Sequence, residues 1–435
     1  MDLEMTFAVY TLGCKVNYYE SRAIAESLKD GGLSEVSFSQ PADIYVINTC
    51  AVTAESERKA RQMIRRGRSK NPDAYIIVTG CSVEVTPDLI SNTGADYICG
   101  NREKMRAARA ALEYAKNKER ERAQVLIRET LDGAPFEEMS VRRSERTRAY
   151  IKIGDGCDGR CAYCVIRKAR GPVRSKPLEK VVAEAKALAA SGYREIVLTA
   201  IEISAYGKDL ENITLADLLE ALSEVPGIER IRLGSLDPAM LTDGFIDRIK
   251  KVKNLAPHFH LSIQSGCDRT LAAMRRKYNT KMIRKSVDAL RAAFHDAMFT
   301  ADVIVGFPGE SEEDFRESAK FIDSLDLLFI HIFTYSRRPG TEAAGMSCQI
   351  PEEIKNARSE ILSGIRERSF LRAVWKYIGK TLPVIFEEEK GGFATGHTAN
   401  FIEVKVRTKE GKALRGGTRS VLLEQPDLYS VIGRL

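Results

Sequence analysis

The regular alternation of strand-like and helix-like segments from residue 148 onward is the feature that most restricts the fold. Apolar runs of strand length are separated by amphipathic helical stretches, which is typical of βα units that build a parallel sheet. Six units are too few for a closed eight-unit barrel, so we predict an open partial barrel over residues 148–370, with its site at the carboxyl ends of the strands. The strand candidates are residues 148–157, 194–201, 230–236, 258–266, 299–309 and 327–336.

The first part of the chain has the same rhythm, which predicts a separate parallel α/β sheet domain over residues 1–115. Each of its three strand candidates ends in a cysteine. The carboxyl ends of parallel strands meet at one edge of a sheet, where α/β proteins bind ligands, so we expect three thiols to converge there. The strand candidates are residues 7–14, 43–50 and 74–81, and the cysteines that end them are Cys14, Cys50 and Cys81.

Two further regions differ from these in composition. Residues 116–147 are charged and helix-prone and then rich in turn residues, so we interpret them as a connector between domains. After a helical stretch, residues 371–435 alternate at strand period between turns, which predicts a small β-barrel. The predicted fold class is therefore α/β, with an N-terminal parallel sheet domain, a central partial (βα)6 barrel and a C-terminal β-barrel.

Charge and cysteine content indicate the class of protein. The first residues carry acidic side chains where a secretory signal carries positive charge, and no apolar run is long enough for a membrane span. We therefore expect a cytoplasmic protein without membrane contact. Thiols stay reduced in that compartment, so nine cysteines favour metal or redox chemistry over a disulfide framework. The formal net charge of +7 suits a polyanionic partner.

A run of three cysteines in C-x3-C-x2-C spacing, Cys157, Cys161 and Cys164, follows the first strand of the predicted barrel. Three thiolates can hold three irons of a [4Fe–4S] cube and leave the fourth iron open. S-Adenosylmethionine (SAM) can chelate that iron, and an electron from the cluster then cleaves its C–S bond to release a 5′-deoxyadenosyl radical. The alternative is structural zinc, which prefers four protein ligands, and no fourth cysteine or histidine lies nearby.

The five histidines lack metal-ligand spacing, and we expect those in the barrel strands to lie at the core or the rim of the barrel.

The three strand-end cysteines are less specific, because their spacing does not identify a cluster. From position alone, three buried thiols are an equally good interpretation. Each cysteine, however, precedes a helix whose N-terminal dipole stabilises a thiolate. We therefore predict a second three-thiol [4Fe–4S] cluster in the N-terminal domain. We expect ordinary reduced thiols at the remaining positions, Cys99, Cys267 and Cys348.

The sequences around these cysteines resemble a known enzyme family. TLGCKVNYYES around Cys14, INTCAVT around Cys50 and TGC ending in Cys81, followed by the CxxxCxxC barrel, are similar to the methylthiotransferases of the radical SAM superfamily. The resemblance implies a second cluster in the N-terminal domain, SAM in the barrel and an RNA-binding TRAM domain at the C-terminus. It also implies that a C–H bond is replaced by C–S–CH3, with SAM as both methyl donor and radical source.

The G-C-K-V-N form at residues 13–17 resembles one branch of this family. It implies methylthiolation of C2 of N6-threonylcarbamoyladenosine at position 37 of tRNA, next to the anticodon. The forms G-C-Q-M-N and G-C-P-K-N are typical of the branches that act on isopentenyladenosine and on a ribosomal-protein aspartate. Both remain alternatives, as does an RNA-binding protein whose clusters are purely structural. The implied partners are tRNA, an electron donor and a sulfur donor.

Four side chains are assigned to the SAM pocket by resemblance. Gln264 and Asp302 match the family's later strand ends, Tyr163 lies within the cysteine run, and Glu202 follows the second barrel strand. Their polar groups can exchange hydrogen bonds with the ribose or amino-acid part of SAM. Ala200 departs from the family's glycine at that turn, which leaves the local backbone geometry open.

The resemblance also implies side chains that contact RNA. Arg170 and Arg174 match the family's RG-x-x-RS stretch after the cysteine run, and an arginine there can pair with an RNA phosphate. In the terminal barrel, His397 and Phe401 suit stacking and backbone contacts to an RNA loop. Arg167 stands where the family usually has proline, which is a second departure.

Overall fold

A computed structural model describes residues 5–119, 125–126, 135–142, 147–408 and 414–435. It confirms the predicted α/β fold with an N-terminal sheet, a central partial barrel and a C-terminal β-barrel. Within these ranges no helix combines the length and the apolar character needed to cross a bilayer.

The N-terminal part is a six-stranded parallel sheet with helices on both faces. Its strands are β1 Thr6–Thr11, β2 Ser34–Glu35, β3 Ile44–Thr49, β4 Tyr75–Gly80, β5 Tyr97–Cys99 and β6 Val125–Leu126. Its helices are α1 Lys15–Asp30, α2 Ala54–Lys70, α3 Cys81–Val85, α4 Pro87–Ser91 and α5 Met105–Asn117. The strand order β2-β1-β3-β4-β5-β6 places the three predicted strands, now β1, β3 and β4, side by side. All residues of β3 and β4 are buried, because an apolar core covers each face of the sheet.

The connector predicted at 116–147 differs from expectation where it is described. Helix α5 ends within it, and β6 pairs in parallel with β5, so part of the connector extends the sheet. An open strand edge exposes unpaired backbone groups, and β6 satisfies those of β5. Residues 120–124, 127–134 and 143–146 of the predicted connector lie outside the described residues.

The central part contains the six predicted βα units, and its apolar core lies between strands and helices. The third predicted strand is broken, because β11 pairs with β10 whereas β12 pairs with β13. The wall therefore consists of two sheets, β11-β10-β7 and β12-β13-β14-β15, and the short antiparallel pair β8 and β9 stands beside them. The strands are β7 Ala149–Lys152, β8 Gly154–Asp155, β9 Arg174–Ser175, β10 Glu195–Thr199, β11 Arg230–Arg232, β12 Ser235–Leu236, β13 His258–Gln264, β14 Met298–Val305 and β15 Phe329–Thr334. The helices are α6 Ile166–Arg170, α7 Leu178–Ala190, α8 Leu215–Ser223, α9 Asp243–Ile249, α10 Asp268–Ala273, α11 Thr280–Ala293, α12 Glu312–Asp323 and α13 Glu342–Gly345.

The C-terminal part is a closed five-stranded barrel in the order β16-β17-β18-β20-β19. Its strands are β16 Thr381–Lys390, β17 Phe393–Thr398, β18 Glu403–Arg407, β19 Thr418–Asp427 and β20 Ser430–Arg434. The boundary predicted at 370/371 falls inside one continuous helix, α14 Glu352–Trp375. The end of this helix packs into the core of the terminal barrel together with two side chains of the partial barrel, Met298 and Leu328. The core of the terminal barrel therefore extends onto the partial barrel.

A group of buried charges joins the N-terminal domain to the partial barrel. Arg170 at the end of α6 donates through Nη1 to Glu20 of α1 at 2.8 Å and to Asp155 of β8 at 2.9 Å. Lys152 donates to the same two carboxylates, each at 2.6 Å, and Lys104 pairs with Glu20. Burial alone would raise the pKa of Glu20, but the three cations hold it well below its usual value. The guanidinium of Arg170 is completely buried, which contradicts the prediction that it contacts RNA.

We expect the substitution Arg170→Gln to lower the free energy of unfolding of the cluster-free protein by about 3–5 kcal/mol, because it leaves buried carboxylates without compensation. Urea unfolding followed by circular dichroism measures this change. Arg167→Gln is the matched control, since this side chain of the same helix is exposed and its loss should cost no more than about 0.5 kcal/mol. Equal effects of the two substitutions would contradict the role assigned to the buried network.

Candidate active site

The cysteine run lies in the loop between β8 and β9, at the carboxyl end of the first barrel strand. The antiparallel pairing of β8 with β9 closes this loop at its base. The backbone N–H of Gly159 donates to Cys157 Sγ at 3.2 Å, and that of Ile166 donates to Cys164 Sγ at 3.4 Å. The loop thus holds its sulfur atoms with backbone donors, which suits sulfur that carries negative charge.

The strands β1, β3 and β4 bring the second set of cysteines to one edge of their sheet. Cys14 precedes α1, Cys50 follows β3, and Cys81 begins α3 directly after β4. Two glycines permit this close approach. A Cβ on Gly13 would lie 2.9 Å from Cys50 Sγ, and a Cβ on Gly80, whose φ is +109°, would meet the backbone of β3 at 2.4 Å. The structure therefore places these three thiols together.

The protonation of Cys50 differs from the expectation based on helix dipoles. Burial, together with the neighbouring Cys81 and Cys14, raises the pKa of Cys50 to about 11. Helix α2 begins only at Ala54, and the hydroxyl of Thr53 accepts from a backbone N–H of its first turn. Burial therefore outweighs the helix dipole at this sulfur, and a bound metal ion would supply the charge that makes it a thiolate.

Both sets of thiols fit a [4Fe–4S] cluster held by three cysteines. All six cysteines are free of disulfide bonds. A Cβ on Gly159 would come within 3.1 Å of Cys157 Sγ, so the glycine keeps space beside the sulfur, as Gly13 does in the N-terminal set. With a cluster bound, each set would hold three irons and leave one iron open for a further ligand.

An inter-domain cavity of about 240 Å³ lies between the two sets of cysteines. On one side it is lined by Val52 and Thr53, which follow Cys50, and on the other side by Cys164 and the strand ends of the partial barrel. Three of the four side chains predicted for the SAM pocket line this cavity, namely Tyr163, Gln264 and Asp302. Apolar side chains complete its wall, among them Val165, Ile166, Ile304 and Phe333.

The fourth predicted side chain, Glu202, lines a second cavity of about 320 Å³ on the other flank of the cysteine loop. Burial and the neighbouring Asp237 raise the pKa of Glu202. In the same cavity Arg276 donates to Cys161 Sγ at 3.0 Å and to Asp237 at 2.9 Å. Arg276 therefore links Cys161 to Asp237 and fixes the flank of the cysteine loop, a role that the sequence analysis missed. The signal in the sequence was the basic run Arg275, Arg276 and Lys277 after α10.

Gln264 has an unusual backbone conformation at the mouth of the inter-domain cavity. Its φ is +65°, which non-glycine residues rarely adopt, and the pairing of β13 with β14 shifts register beside it. Such a conformation costs on the order of 1–3 kcal/mol and is found most often at functional sites. The strain turns the end of β13 so that Gln264 lines the cavity.

Comparison with known proteins identifies the family. The model of the Radical SAM superfamily matches residues 151–322, and that of Uncharacterized protein family UPF0004 matches residues 6–100. A Bacillus subtilis protein named threonylcarbamoyladenosine tRNA methylthiotransferase MtaB is 38% identical, and the alignment covers 93% of this chain and 91% of that protein. The chain belongs to the radical SAM methylthiotransferase family. It is therefore an enzyme that uses SAM and [4Fe–4S] clusters.

Other relatives of this methylthiotransferase differ in the substrate that they are named for. A Thermotoga maritima protein with the same name as the Bacillus relative is 38% identical over 88% of this chain and 86% of its own length. A Thermobifida fusca protein named tRNA-2-methylthio-N(6)-dimethylallyladenosine synthase is 33% identical over 90% of this chain and 80% of its own length.

Solved structures of low identity share the fold of the methylthiotransferase. The radical SAM methyltransferase TsrM from Kitasatospora setae superposes with a TM-score of 0.57 at 15% identity, covering 78% of this chain and 74% of TsrM. The cobalamin-dependent radical SAM enzyme OxsB superposes with a TM-score of 0.51 at 13% identity, covering 83% of this chain and 56% of OxsB. At these identities the likeness concerns the fold alone.

The two departures from the family pattern do not disturb the methylthiotransferase site. Ala200 has no positive φ, so the turn after β10 does not need the glycine that the family carries there. Arg167 is exposed and pairs with Asp158 across the cysteine loop at 3.5 Å. Neither side chain lines the inter-domain cavity or the cavity at Glu202.

Arg174, like Arg170, does not reach RNA. Only 8% of its side chain is exposed, and its guanidinium donates to the backbone carbonyls of Arg170 at 2.8 Å and Pro172 at 3.2 Å. These contacts fix the end of the cysteine loop. The predicted phosphate contact is contradicted, because the side chain is occupied inside the protein.

Phe401 of the terminal barrel has another role than predicted, whereas the predicted RNA contact of His397 stays a prediction. The ring of Phe401 stacks on His258 of the partial barrel at 4.3 Å and on His397 at 4.6 Å, and the guanidiniums of Arg148 and Arg232 lie over it. His397 Nδ1 is hydrogen-bonded to a carboxylate of β16. With its ring faces covered, Phe401 cannot stack on an RNA base. Phe401 instead fixes the terminal barrel on the partial barrel, whereas the contacts of His397 lie within the terminal barrel.

We expect about eight irons per chain in the reconstituted enzyme and about four in the variant with alanine at Cys14, Cys50 and Cys81, because each set of thiols holds one [4Fe–4S] cluster. Iron and sulfide assays on anaerobically reconstituted protein measure both values. Cys348→Ala is the control, since this exposed thiol belongs to neither set and its loss should leave the iron content unchanged. A full iron load in the triple variant would rule out the second cluster.

Proposed function

We propose that this methylthiotransferase replaces the C2 hydrogen of N6-threonylcarbamoyladenosine at position 37 of tRNA with a methylthio group. Two relatives at 38% identity carry threonylcarbamoyladenosine tRNA methylthiotransferase as their name. The G-C-K-V-N form at residues 13–17 supports the same branch of the family. The alignment with these relatives spans nearly the whole chain, so the proposal concerns the complete reaction.

The observation that carries this proposal is the position of the inter-domain cavity between the two sets of cysteines. When bound, the clusters and SAM supply the radical, the sulfur and the methyl group. The cavity touches Cys164 on one side and the segment after Cys50 on the other, which supports two proposed cluster sites beside one volume. A nucleobase held there is close to the radical source and to the sulfur at the same time.

The side chains of the cavity bind and shield the base and do not act as acids or bases. The C2 hydrogen of adenine is not acidic, so proton transfer to a side chain cannot remove it. Tyr163, Ile304 and Phe333 provide apolar walls that exclude water from a reactive radical, and Gln264 and Asp302 offer hydrogen bonds that orient the ligands.

The proposed partners follow from this reaction. The substrate is tRNA, and the net charge of +7 suits its phosphates. The reaction also needs an electron donor that reduces the SAM-binding cluster and a sulfur donor that replaces the inserted atom. We place the enzyme in the cytoplasm, where tRNA is modified, without membrane contact.

Comparison of tRNA nucleosides from a wild-type and a deletion strain tests the proposal. We expect 2-methylthio-N6-threonylcarbamoyladenosine to disappear in the deletion strain and its unmethylthiolated precursor to accumulate, as measured by liquid chromatography and mass spectrometry. Complementation with the chain carrying Cys157→Ala should fail, whereas Cys348→Ala should restore the nucleoside. Loss of methylthio-isopentenyladenosine instead, or unchanged tRNA with an altered ribosomal protein, would assign the enzyme to another branch.

A further inference from the structure

Two histidines that the reaction described above does not use meet Asp302 inside the partial barrel. One ring nitrogen of His260, one of His331 and a carboxylate oxygen of Asp302 all lie within 4.8 Å of one another. The three side chains come from the adjacent strands β13, β14 and β15, and Asp302 is paired with His331 in the strand register. We call this group the imidazole recess. It adjoins the inter-domain cavity, because Asp302 belongs to both.

His260 is held in place on both sides of its ring. Its Nε2 lies 3.1 Å from the carboxylate of Asp302, and its Nδ1 lies 2.7 Å from the hydroxyl of Thr300. The same hydroxyl lies 3.0 Å from Nε2 of His258. A hydrogen-bonded chain therefore runs from Asp302 through His260 and Thr300 to His258, and it fixes the orientation of the first imidazole.

His331 is in a different situation, because its side chain is exposed. Its ring contacts those of His260 and Phe329, at centroid distances of 5.4 and 4.9 Å. Within the described part of the chain, its ring nitrogens have no hydrogen-bond partner at normal distance. His331 can therefore donate a hydrogen bond to a ligand that enters from the cavity.

The charges around His331 favour a ligand with negative charge. Although its side chain is accessible to solvent, the surrounding protein partly desolvates the ring of His331 and lowers its pKa. The nearby His260, Lys15 and Arg366 also lower it, whereas Asp302 raises it. Lys15 comes from the start of α1 in the N-terminal domain and Arg366 from α14, so cationic groups of two further elements act on His331 electrostatically. A carboxylate beside His331 would be attracted by these groups.

We propose that the imidazole recess binds the carboxylate of the threonylcarbamoyl substituent and that His331 determines this specificity. The inference rests on the proposed function and adds to it a reason for preferring one modified adenosine. The substituent carries a carboxylate, a hydroxyl and ureido N–H groups, which match a donor at His331 and an acceptor at Asp302. A dimethylallyl substituent has none of these groups and would leave the imidazole of His331 without a partner, which weakens binding.

The test compares binding of two anticodon stem-loop RNAs to the reconstituted holoenzyme. One RNA carries N6-threonylcarbamoyladenosine with its free carboxylate, and the other carries the methyl ester of the same nucleoside. We expect the wild-type enzyme to bind the acid on the order of ten- to a hundredfold more tightly, which is the range of a charge-assisted hydrogen bond. Fluorescence anisotropy gives both dissociation constants, and the preference is their ratio.

Three variants locate this preference at one side chain. His331→Leu should lower the ratio to about one, whereas His331→Gln keeps an N–H donor and should retain part of the preference. His295→Leu is the matched control, because this histidine is 94% exposed and takes no part in the recess, so the ratio should stay at the wild-type value. Iron content and SAM cleavage without RNA are measured for every variant, which separates a loss of recognition from a loss of the fold.

The opposite results would overturn the inference. An unchanged ratio in His331→Leu would remove the assigned role. A wild-type chain that binds one divalent metal ion besides the cluster iron, and loses it in His331→Leu, would instead show that the recess is a metal site.

The proposed function is tested separately by turnover. Equal methylthiolation of acid and ester RNA would refute the inference alone, whereas turnover of only a dimethylallyladenosine RNA would refute the proposed function itself.

Discussion

The contact of Arg170 with two buried carboxylates is the interaction on which the arrangement of the two cysteine sets depends. The guanidinium lies between α1, which follows Cys14, and the short helix that follows Cys164. It also donates to Asn17, whose amide donates to the backbone carbonyls just before Cys14 and Cys50. Moving one domain against the other would leave these charges without partners in the protein interior, so the network keeps the two domains in a single arrangement.

The inter-domain cavity follows from this arrangement and from a general property of parallel sheets. Each sheet presents its functional loops at the carboxyl ends of its strands. Here two such edges face each other, so that the loop after β8 and the loop after β3 line the same volume. Neither domain could build the site alone, because each contributes one wall and one set of thiols.

The fold and the cysteines could be predicted because they depend on local patterns. Strand alternation gave β1, β3 and β4, and the spacing of Cys157, Cys161 and Cys164 indicated the cluster loop. The predictions that were wrong concern side chains whose roles depend on contacts between distant segments. Arg170 looks like a phosphate ligand until Glu20, far away in the sequence, is found beside it, and Phe401 looks like a stacking platform until His258 covers its ring. The imidazole recess could not be found from sequence motifs either. A metal-ligand motif is recognised by the spacing of residues within one segment, whereas His260, Asp302 and His331 lie on three different strands.

The continuous helix α14 has a consequence for the terminal barrel. This helix and the stacked ring of Phe401 attach the terminal barrel to the partial barrel without a flexible linker. A domain on a flexible linker only raises the local concentration of whatever it holds. A domain on a rigid support also fixes distance and angle. An RNA held by the terminal barrel would therefore offer the cavity only a nucleotide at one set distance, so the position to be modified would be chosen by its distance from the barrel contact.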